Sequence, residues 1–446
     1  MRILIQIRPV PDVTLAVMQD PEKQTAADVA GDLPGVELDE SYLPVALPKP
    51  VPKASDGDPL SMHQAMFFSF EPEVASVLVR GEIGDDDLAS RRARLSATNP
   101  NIVGIFSDPV LEAMPACPGD APTGTWQDVS DHLKTKDLQA RGMDGADVLI
   151  AIVDVGIDAD RLAAAGAEIR VAADRSWTPP IAWAPDDIRH GTMCAFGAGI
   201  AAPRATLLDV ALLRTMRHAR NRMEALTSDG IAAFAYLRTV LDSMGDRRAL
   251  VVSNSWGCYD PAWDFPEGDP GNYSNNLSHP FNIVVSALQS AGADVLFAAG
   301  NGGSPCPVSR CKYSERTIVG ANSHPDVLSI GGVSTENERV GYSSQGPGRL
   351  DTHKPDLCAY THFLGSEVYG SGSADGGTST ACPVAAGVLA AVRSKFPSGT
   401  ITPEAMRDVL RGAAYDVTGR GFTYDYGHGI VSVPGLLDRL EVQGLI

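Results

Sequence analysis

The sequence lacks any run of about 20 apolar residues, the length that a helix needs to cross a bilayer. The apolar start at residues 3–5 is broken by Gln6 and Arg8, so it is too short for the hydrophobic region of a secretory signal. We therefore expect no membrane span and no membrane partner, and we expect the protein to be cytoplasmic.

Basic residues are scarce. The 446 residues include 36 Lys+Arg and 55 Asp+Glu, a net charge of −19, and this excess of negative charge argues against nucleic-acid partners. Residues 1–120 hold 9 basic and 19 acidic side chains, and the remaining 326 residues hold 27 and 36. Over half of the net charge thus lies on the first quarter of the chain, which suggests a separate unit there. Since both parts are acidic, we expect strand pairing and apolar contacts to join them.

Cysteines are few for this length, and their odd number does not indicate a disulfide scaffold. Cys194, Cys258 and Cys382 lie near candidate catalytic segments. A redox switch is one interpretation, but free cysteines are commonly small buried apolar residues, and we favour that role. A disulfide between Cys306 and Cys311 is one option, and two cysteines alone are a weak zinc signal.

The first part of the chain has the pattern of a small α+β unit. Its strand-like and helix-like segments are residues 1–7, 75–80 and 101–106 for strands and 85–98 for a helix that starts with three aspartates. The proline-rich residues 47–53 predict a loop or spacer, and residues 115–125 are typical of a Pro/Gly-rich linker.

From residue 126 onward, continuous apolar runs alternate with helical stretches. The runs are 148–153, 206–213, 250–253, 295–299 and 327–330, and the helical stretches include 230–244 and 279–291. Unbroken apolar runs are typical of strands buried on both faces. This alternation predicts an α/β layer fold with a mostly parallel sheet.

Two polar residues in this part of the chain are candidate site residues. Asp154 comes directly after the apolar run 148–153, so it is either a catalytic or ligand-binding group, which open α/β sheets place at this position, or the cap of a turn. His190 opens a small-residue stretch, where it is either a base aimed into a cleft or, more commonly for a lone histidine, a satisfied surface side chain.

Two further residues each have one catalytic and one purely structural interpretation. Ser379 lies between a glycine pair and an apolar helix at residues 384–392, so it is either a nucleophile beside free backbone N–H groups or an ordinary N-cap. Asn301 follows the run 295–299 and is flanked by glycines, so it is either an oxyanion donor or a left-handed turn residue.

The chain order Asp154, His190, Asn301, Ser379, with these local sequences, resembles the subtilisin-like serine proteases from about residue 126 to the end. Further matching segments are 253–257, 342–347, 354–356 and 426–431. The resemblance implies a three-layer α/β fold with a mostly parallel central sheet, preceded by a small ferredoxin-like α+β domain. The division that it implies is a propeptide-like domain at 1–116, a linker at 117–125 and a peptidase domain at 126–446.

Carried over residue by residue, the resemblance implies an Asp-His-Ser triad of Asp154, His190 and Ser379 that hydrolyses peptide bonds through an acyl-enzyme. It also implies that Asn301 and the Ser379 N–H bind the oxyanion. The segment Ser255-Trp256-Gly257 would pair with the backbone of an extended peptide or protein substrate.

The sequence also departs from the family pattern. Thr380 stands where methionine is usual, Val384 stands where histidine is usual, and the loop that often binds calcium after the catalytic-histidine helix is missing at residues 201–206. We therefore expect no required cofactor and no metal at this loop, with calcium elsewhere left open. The N-terminal unit is expected to act as an intramolecular inhibitor, with residues 102–114 forming its last strand and a tail that enters the cleft.

Two alternatives to simple hydrolysis stay open. The same acyl-enzyme could be passed to an amine, as in a peptide-maturation protease or macrocyclase. The chain could also be a catalytically silent binding module, although the presence of all four candidate residues argues against this.

Overall fold

The computed structural model describes residues 1–52, 66–84, 88–113, 121–184, 187–216 and 223–446. The N-terminal unit folds as an antiparallel sheet in which Val36–Leu38, Ser76–Ile83, Arg2–Ile7 and Ile102–Ser107 are neighbours in this order, and Val45–Leu47 also pairs with Ser76–Ile83. The predicted strands and helix are present, whereas the three aspartates before the helix and residues 115–120 of the predicted linker lie outside the described residues. The elements of this unit are β1 (Arg2–Ile7), α1 (Pro11–Gln19), α2 (Ala26–Ala30), β2 (Val36–Leu38), β3 (Val45–Leu47), β4 (Lys49–Pro52), β5 (Met66–Ser69), β6 (Ser76–Ile83), α3 (Leu88–Thr98) and β7 (Ile102–Ser107).

The prediction of a loop at residues 47–53 was wrong for the part that the structure describes. Leu47 ends β3, and residues 49–52 form β4, which pairs antiparallel with β5. Proline lacks an N–H to donate, but a two-stranded ribbon has edges where no donor is needed, so Pro50 and Pro52 are tolerated there.

The second unit is built on a seven-stranded sheet in which every neighbouring pair of strands is parallel, and its strands in sheet order are Arg170–Trp177, Thr206–Val210, Leu149–Val153, Leu250–Asn254, Asp294–Ala298, Leu328–Val333 and Leu357–Tyr360. The predicted parallel α/β sheet is therefore confirmed. The elements from β8 onward are β8 (Val110–Glu112), α4 (Trp126–Leu133), α5 (Thr135–Gln139), β9 (Leu149–Val153), α6 (Ala159–Ala164), β10 (Arg170–Trp177), α7 (Arg189–Gly199), β11 (Thr206–Val210), β12 (Glu224–Leu226), α8 (Thr227–Ser243), β13 (Leu250–Asn254), α9 (Pro280–Ser290), β14 (Asp294–Ala298), β15 (Leu328–Val333), β16 (Leu357–Tyr360), β17 (Phe363–Leu364), β18 (Ala374–Asp375), α10 (Thr378–Arg393), α11 (Pro403–Ala413) and α12 (Val433–Val442).

Alternate side chains of the central strands enter two separate cores. In β9, Ile150 and Ile152 join a cluster with residues of α7 and α10, whereas Ala151 and Val153 join a cluster with residues of α8 and α9. Successive side chains of a strand point to opposite faces, so the sheet is covered by helices on both sides. This is the three-layer architecture, and it explains why the strands are apolar throughout rather than alternating.

Two helices of one layer lie unusually close together. A Cβ placed at Gly387 of α10 would collide with the backbone carbonyl of Ala198 in α7, so glycine is needed where these backbones approach. Since α7 carries His190 and α10 carries Ser379, this close packing brings the two candidate catalytic helices side by side.

The N-terminal sheet packs on the second unit through one apolar face. Leu4, Leu78 and Phe106 of this sheet belong to the same buried cluster as the residues of α8 and α9. The tail segment, which we define as residues 110–113, continues from this sheet and pairs through β8 with β12. Apolar contact and strand pairing therefore join the two acidic units, as expected.

Buried polar contacts add to this interface. The Asp108 carboxylate accepts hydrogen bonds from the Ser228 N–H (2.8 Å) and the Thr227 hydroxyl (2.7 Å) at the start of α8. The Arg80 guanidinium donates to Ser228 Oγ at 2.8 Å and forms an ion pair with Asp229 at 3.2 Å. A carboxylate is favoured at a helix N-terminus because the backbone N–H groups there lack intrahelical partners.

The structure also answers the questions about cysteines and membrane spans. Cys311 is a free thiol, so the disulfide between Cys306 and Cys311 is not formed. Cys194, Cys258 and Cys382 are free and buried, in agreement with the prediction. In the described part of the chain, no helix has both the length and the apolar character needed to cross a membrane.

Candidate active site

The loop after β9 and the start of α7 bring Asp154 and His190 together. Asp154 is the first residue beyond β9, and His190 is the second residue of α7. A Cβ at the next residue, Gly191, would collide with the carbonyl oxygen of Gly156, so the helix reaches this loop only because residue 191 has no side chain.

The two side chains are joined by a buried hydrogen bond. His190 Nδ1 lies 2.8 Å from Asp154 Oδ1 and 2.9 Å from Oδ2, and the carboxylate is 1% exposed. Because a carboxylate only accepts hydrogen bonds, Nδ1 carries the proton of a neutral imidazole and Nε2 keeps its lone pair. His190 Nε2 is buried without a hydrogen-bond partner in the described part of the chain. The ring is therefore held as a base with its lone pair available.

Opposing effects act on the pKa of His190. Burial disfavours the imidazolium, but the negative charge of Asp154 and its hydrogen bond outweigh this effect, and Asp187 adds a smaller attraction. The pKa of His190 is consequently raised above its usual value.

Ser379 lies at the start of α10, close to the end of β13. Its hydroxyl makes only a long contact, 3.5 Å, to the backbone oxygen of Ser255. Its own carbonyl accepts from Ser255 Oγ at 2.9 Å and from Cys194 Sγ at 3.3 Å, which ties the start of α10 to both β13 and α7. The serine backbone is firmly anchored, whereas its hydroxyl has no strong partner among the described residues.

Asn301 is oriented by the residue before the serine. Its Oδ1 accepts from the Thr378 N–H (2.9 Å) and hydroxyl (3.0 Å), which turns its amide nitrogen away from Thr378. A Cβ at Gly377, whose φ is +81°, would lie 3.1 Å from Asn301 Nδ2 and 3.4 Å from the Ser379 nitrogen. Two N–H donors thus border one small space that a glycine leaves open.

The residues of the predicted substrate-binding segment have different roles. Trp256 is fully buried, its ring contacts Phe281 and Phe297, and its Nε1 donates to Val153 O at 2.9 Å, so its side chain belongs to the core. Gly257, in contrast, exchanges both backbone hydrogen bonds with Glu112 of the tail segment, at 2.9 and 3.0 Å.

The tail segment is therefore paired on both edges. β8 is antiparallel to β12 on one side, Glu112 pairs with Gly257 on the other, and the Ala113 N–H donates to Met223 O at 3.4 Å. The predicted unit of residues 102–114 is divided into β7 and β8, and Met114 lies outside the described residues.

Sequence reasoning missed the role of Thr378 and gave Cys194 only the role of a small buried residue. Thr378 fixes the Asn301 amide, and the Cys194 thiol packs against the Asp154 carboxylate at 3.7 Å. Thr378 is signalled only by its position beside Ser379. Cys194 lies one helical turn after His190, on the same face of α7, and this spacing places it near the candidate histidine in the sequence as well.

Asp154, His190 and Cys194 also form the one group in the described residues whose spacing suits a metal ion. The group does not fit this role, because metals bind thiolates and neutral imidazoles with an available nitrogen. His190 Nδ1 is already hydrogen-bonded to Asp154, and burial together with the nearby Asp154 charge raises the pKa of the Cys194 thiol well above its usual value.

The histidine of the buried Asp–His pair lies on the helix whose Cys194 thiol contacts both His190 Nδ1 (4.0 Å) and the Ser379 carbonyl (3.3 Å), and this grouping is similar to the arrangement of the serine hydrolases. The chain belongs to the Subtilase family, whose pattern it matches over residues 145–429, more than half of its length. It is a serine endopeptidase, a hydrolase acting on peptide bonds.

Characterised relatives agree with this assignment. The chain is 26% identical to Subtilisin DY of Bacillus licheniformis over 301 residues, covering 68% of this chain and 94% of the relative. It is also 26% identical to Subtilisin E of Bacillus subtilis (strain 168) over 306 residues, covering 68% of each. A Calcium-dependent protease of Nostoc sp. is 26% identical over 323 residues, covering 64% of this chain and 45% of the relative.

The Asp154–His190 hydrogen bond predicts how the pKa of His190 responds to substitution. Asp154→Asn preserves the size of the side chain and removes the negative charge that raises the pKa of His190. Burial, which lowers this pKa, then acts without opposition from Asp154, so the pKa of His190 should fall below that of an exposed histidine, about 6.5. NMR titration of histidine-labelled protein measures this directly. Asp187→Asn is the matched control and should lower the pKa much less. An unchanged pKa in Asp154→Asn would contradict the geometry described above.

Proposed function

We propose that the chain hydrolyses peptide bonds through an acyl-enzyme formed on Ser379, with His190 as general base and Asp154 as its orienting partner. The observation that carries this proposal is the buried Asp154–His190 hydrogen bond, which leaves the lone pair of Nε2 available. A serine hydroxyl is a weak nucleophile without such a base.

The proposed reaction has two halves. Ser379 Oγ exchanges its long contact to Ser255 for a hydrogen bond to His190 Nε2 and attacks the scissile carbonyl carbon, while Nε2 takes the hydroxyl proton. The C–N bond then breaks, and the imidazolium gives this proton to the leaving amine. In the second half, Nε2 takes a proton from water while the water oxygen attacks the ester; the bond to Ser379 Oγ then breaks, Oγ takes this proton back from Nε2, and the acid product is released.

The oxyanion is proposed to lie in the space bordered by Asn301 Nδ2 and the Ser379 N–H. Both groups are donors, and Thr378 holds the asparagine amide before substrate arrives. Donors that are already aimed at the developing charge need no reorganisation during the reaction, which is why such sites contribute strongly to catalysis.

We infer that substrate binds as an extended strand between β12 and Gly257. The tail segment makes antiparallel hydrogen bonds to both edges, as a peptide added to this groove would. The N-terminal unit, residues 1–116, would accordingly act as an intramolecular inhibitor joined to the peptidase domain, residues 126–446, through a linker.

The proposed chemistry uses only protein side chains and backbone groups, so catalysis requires no cofactor. The name of the Nostoc relative makes calcium a candidate structural ligand for this chain as well. The connection between α7 and β11, residues 200–205, contains no acidic or amide side chain that would coordinate it.

Transfer of the acyl group to an amine instead of water is compatible with the same site, and mass spectrometry of products distinguishes a cyclic or ligated peptide from a hydrolysed one. We favour hydrolysis because the relatives carry the names of proteases.

The assignment of the nucleophile predicts covalent labelling by a fluorophosphonate. The wild type should be labelled, and Ser379→Ala should not be labelled and should lose peptidase activity. Ser394→Ala, at the other end of α10, is the matched control and should label normally. Absence of labelling from the full chain, and again after an added protease has removed residues 1–120, would support the silent binding module and contradict our proposal.

The oxyanion space predicts a loss of activity in Gly377→Ala. The added methyl group would lie 3.1 Å from Asn301 Nδ2, so kcat should fall about 10²–10³-fold, the effect known for loss of one oxyanion donor in a subtilisin. Gly372→Ala is the matched control, because its φ is similar, +79° against +81°, but its methyl group meets nothing within 4 Å. Equal activity of the two variants would show that the space is not used.

The inhibitor role predicts self-processing. Intact mass should show the wild type cut between about residues 107 and 125, whereas Ser379→Ala should keep its full 47.0 kDa. If neither chain is cut, autoprocessing is wrong, and a permanently attached inhibitory or docking domain is the remaining interpretation.

A further inference from the structure

The groove that holds the tail segment contains an arginine directed at one tail side chain. Glu112, whose backbone pairs with Gly257, has a side chain that is only 1% exposed. Arg310 Nε donates to Glu112 Oε1 at 3.1 Å, and Arg310 Nη2 contacts Oε2. The guanidinium therefore binds both carboxylate oxygens, a geometry that a lysine cannot reproduce.

Arg310 is also anchored independently of the tail segment. Its Nη2 lies 3.7 Å from Glu224 Oε1, on the β12 edge of the groove, and the Glu224 side chain is 1% exposed. The segment that carries Arg310 is fixed to the site itself, because the Val308 N–H donates to Asn301 O at 3.0 Å. These contacts do not involve the tail segment, so they hold the arginine beside the groove when a different peptide occupies it.

The residues on either side of Glu112 show which side chains the groove encloses at the neighbouring positions. Leu111 is fully buried in the cluster with α8 and α9, and Ala113 is 5% exposed. Both faces of this short strand are thus enclosed, and a side chain at the Glu112 position cannot simply turn to solvent. An amide there would lose the charge-assisted contact of both carboxylate oxygens with Arg310, and a cation would be enclosed beside the guanidinium.

We propose that Arg310 determines substrate specificity by selecting an acidic side chain, glutamate above all, at the substrate residue whose backbone pairs with Gly257. This inference rests on the proposed function, in which substrate replaces the tail segment in the same groove. The favoured substrates are therefore extended peptides with an apolar residue, an acidic residue and a small residue in the order of Leu111, Glu112 and Ala113.

The test uses internally quenched peptides containing Val-Leu-X-Ala followed by a randomised residue, with X as Glu, Asp, Gln or Lys, and the full-length purified chain. The wild type should cleave the Glu peptides with a kcat/KM about 10- to 100-fold above that for the Gln peptides, because a charge-assisted bidentate contact is lost in the latter. The Lys peptides should be the poorest substrates.

The variant Arg310→Gln should reduce the Glu-to-Gln ratio to below about threefold. Lys312→Gln removes a positive charge two residues away, on a side chain that donates to Ser309 O, and should keep the full ratio. A wild type without preference for Glu, or a preference that survives in Arg310→Gln, would overturn the assignment.

Fluorophosphonate labelling separates this failure from that of the proposed function. A chain that is labelled and cuts the peptides without acidic preference keeps its serine peptidase mechanism and loses only the role of Arg310. If the wild type is labelled but cuts no peptide, the peptide assay is repeated with the variant Glu112→Gln, in which the contact between the tail segment and Arg310 is weaker. Continued failure to cut any peptide, or absence of labelling, overturns the specificity assignment as well.

Discussion

The buried hydrogen bond between His190 and Asp154 is the interaction on which the rest of this structure depends. Two polar groups in a dry interior are tolerated only when they satisfy each other, so the fold must deliver them within 3 Å. The carboxyl end of β9 supplies the acid, α7 supplies the base, and Gly191 permits the close approach. The same helix packs on α10, so the position of Ser379 follows from the placement of α7.

A second constraint is the joining of two acidic units. Net charge opposes their association, and the interface overcomes this with apolar burial, strand pairing and a few buried ionic contacts. Asp108 completes the N-terminus of α8, where a carboxylate is favoured, and Arg80 neutralises Asp229 beside it. Specific contacts between opposite charges are thus compatible with bulk repulsion, because short-range desolvated pairs are screened far less than distant surface charges.

Much of the fold could be predicted because the central strands are apolar on both faces. The runs around β9, β13, β14 and β15 stand out from their surroundings. The edge strand β10 was missed because its sequence is polar, and β4 was mistaken for a loop because prolines dominate it. In both cases the strand forms through pairing with a partner that is distant in sequence, which local composition does not report.

The sequence by itself determined the identities and chain order of Asp154, His190, Asn301 and Ser379, because each lies in a local pattern with a chemical meaning. Only the tertiary structure decided how these groups are aimed. It decided that Thr378 turns the Asn301 amide, and that Arg310 meets Glu112, 198 residues away. Contacts of this kind depend on how layers and strand edges are brought together, and no local period or spacing encodes them.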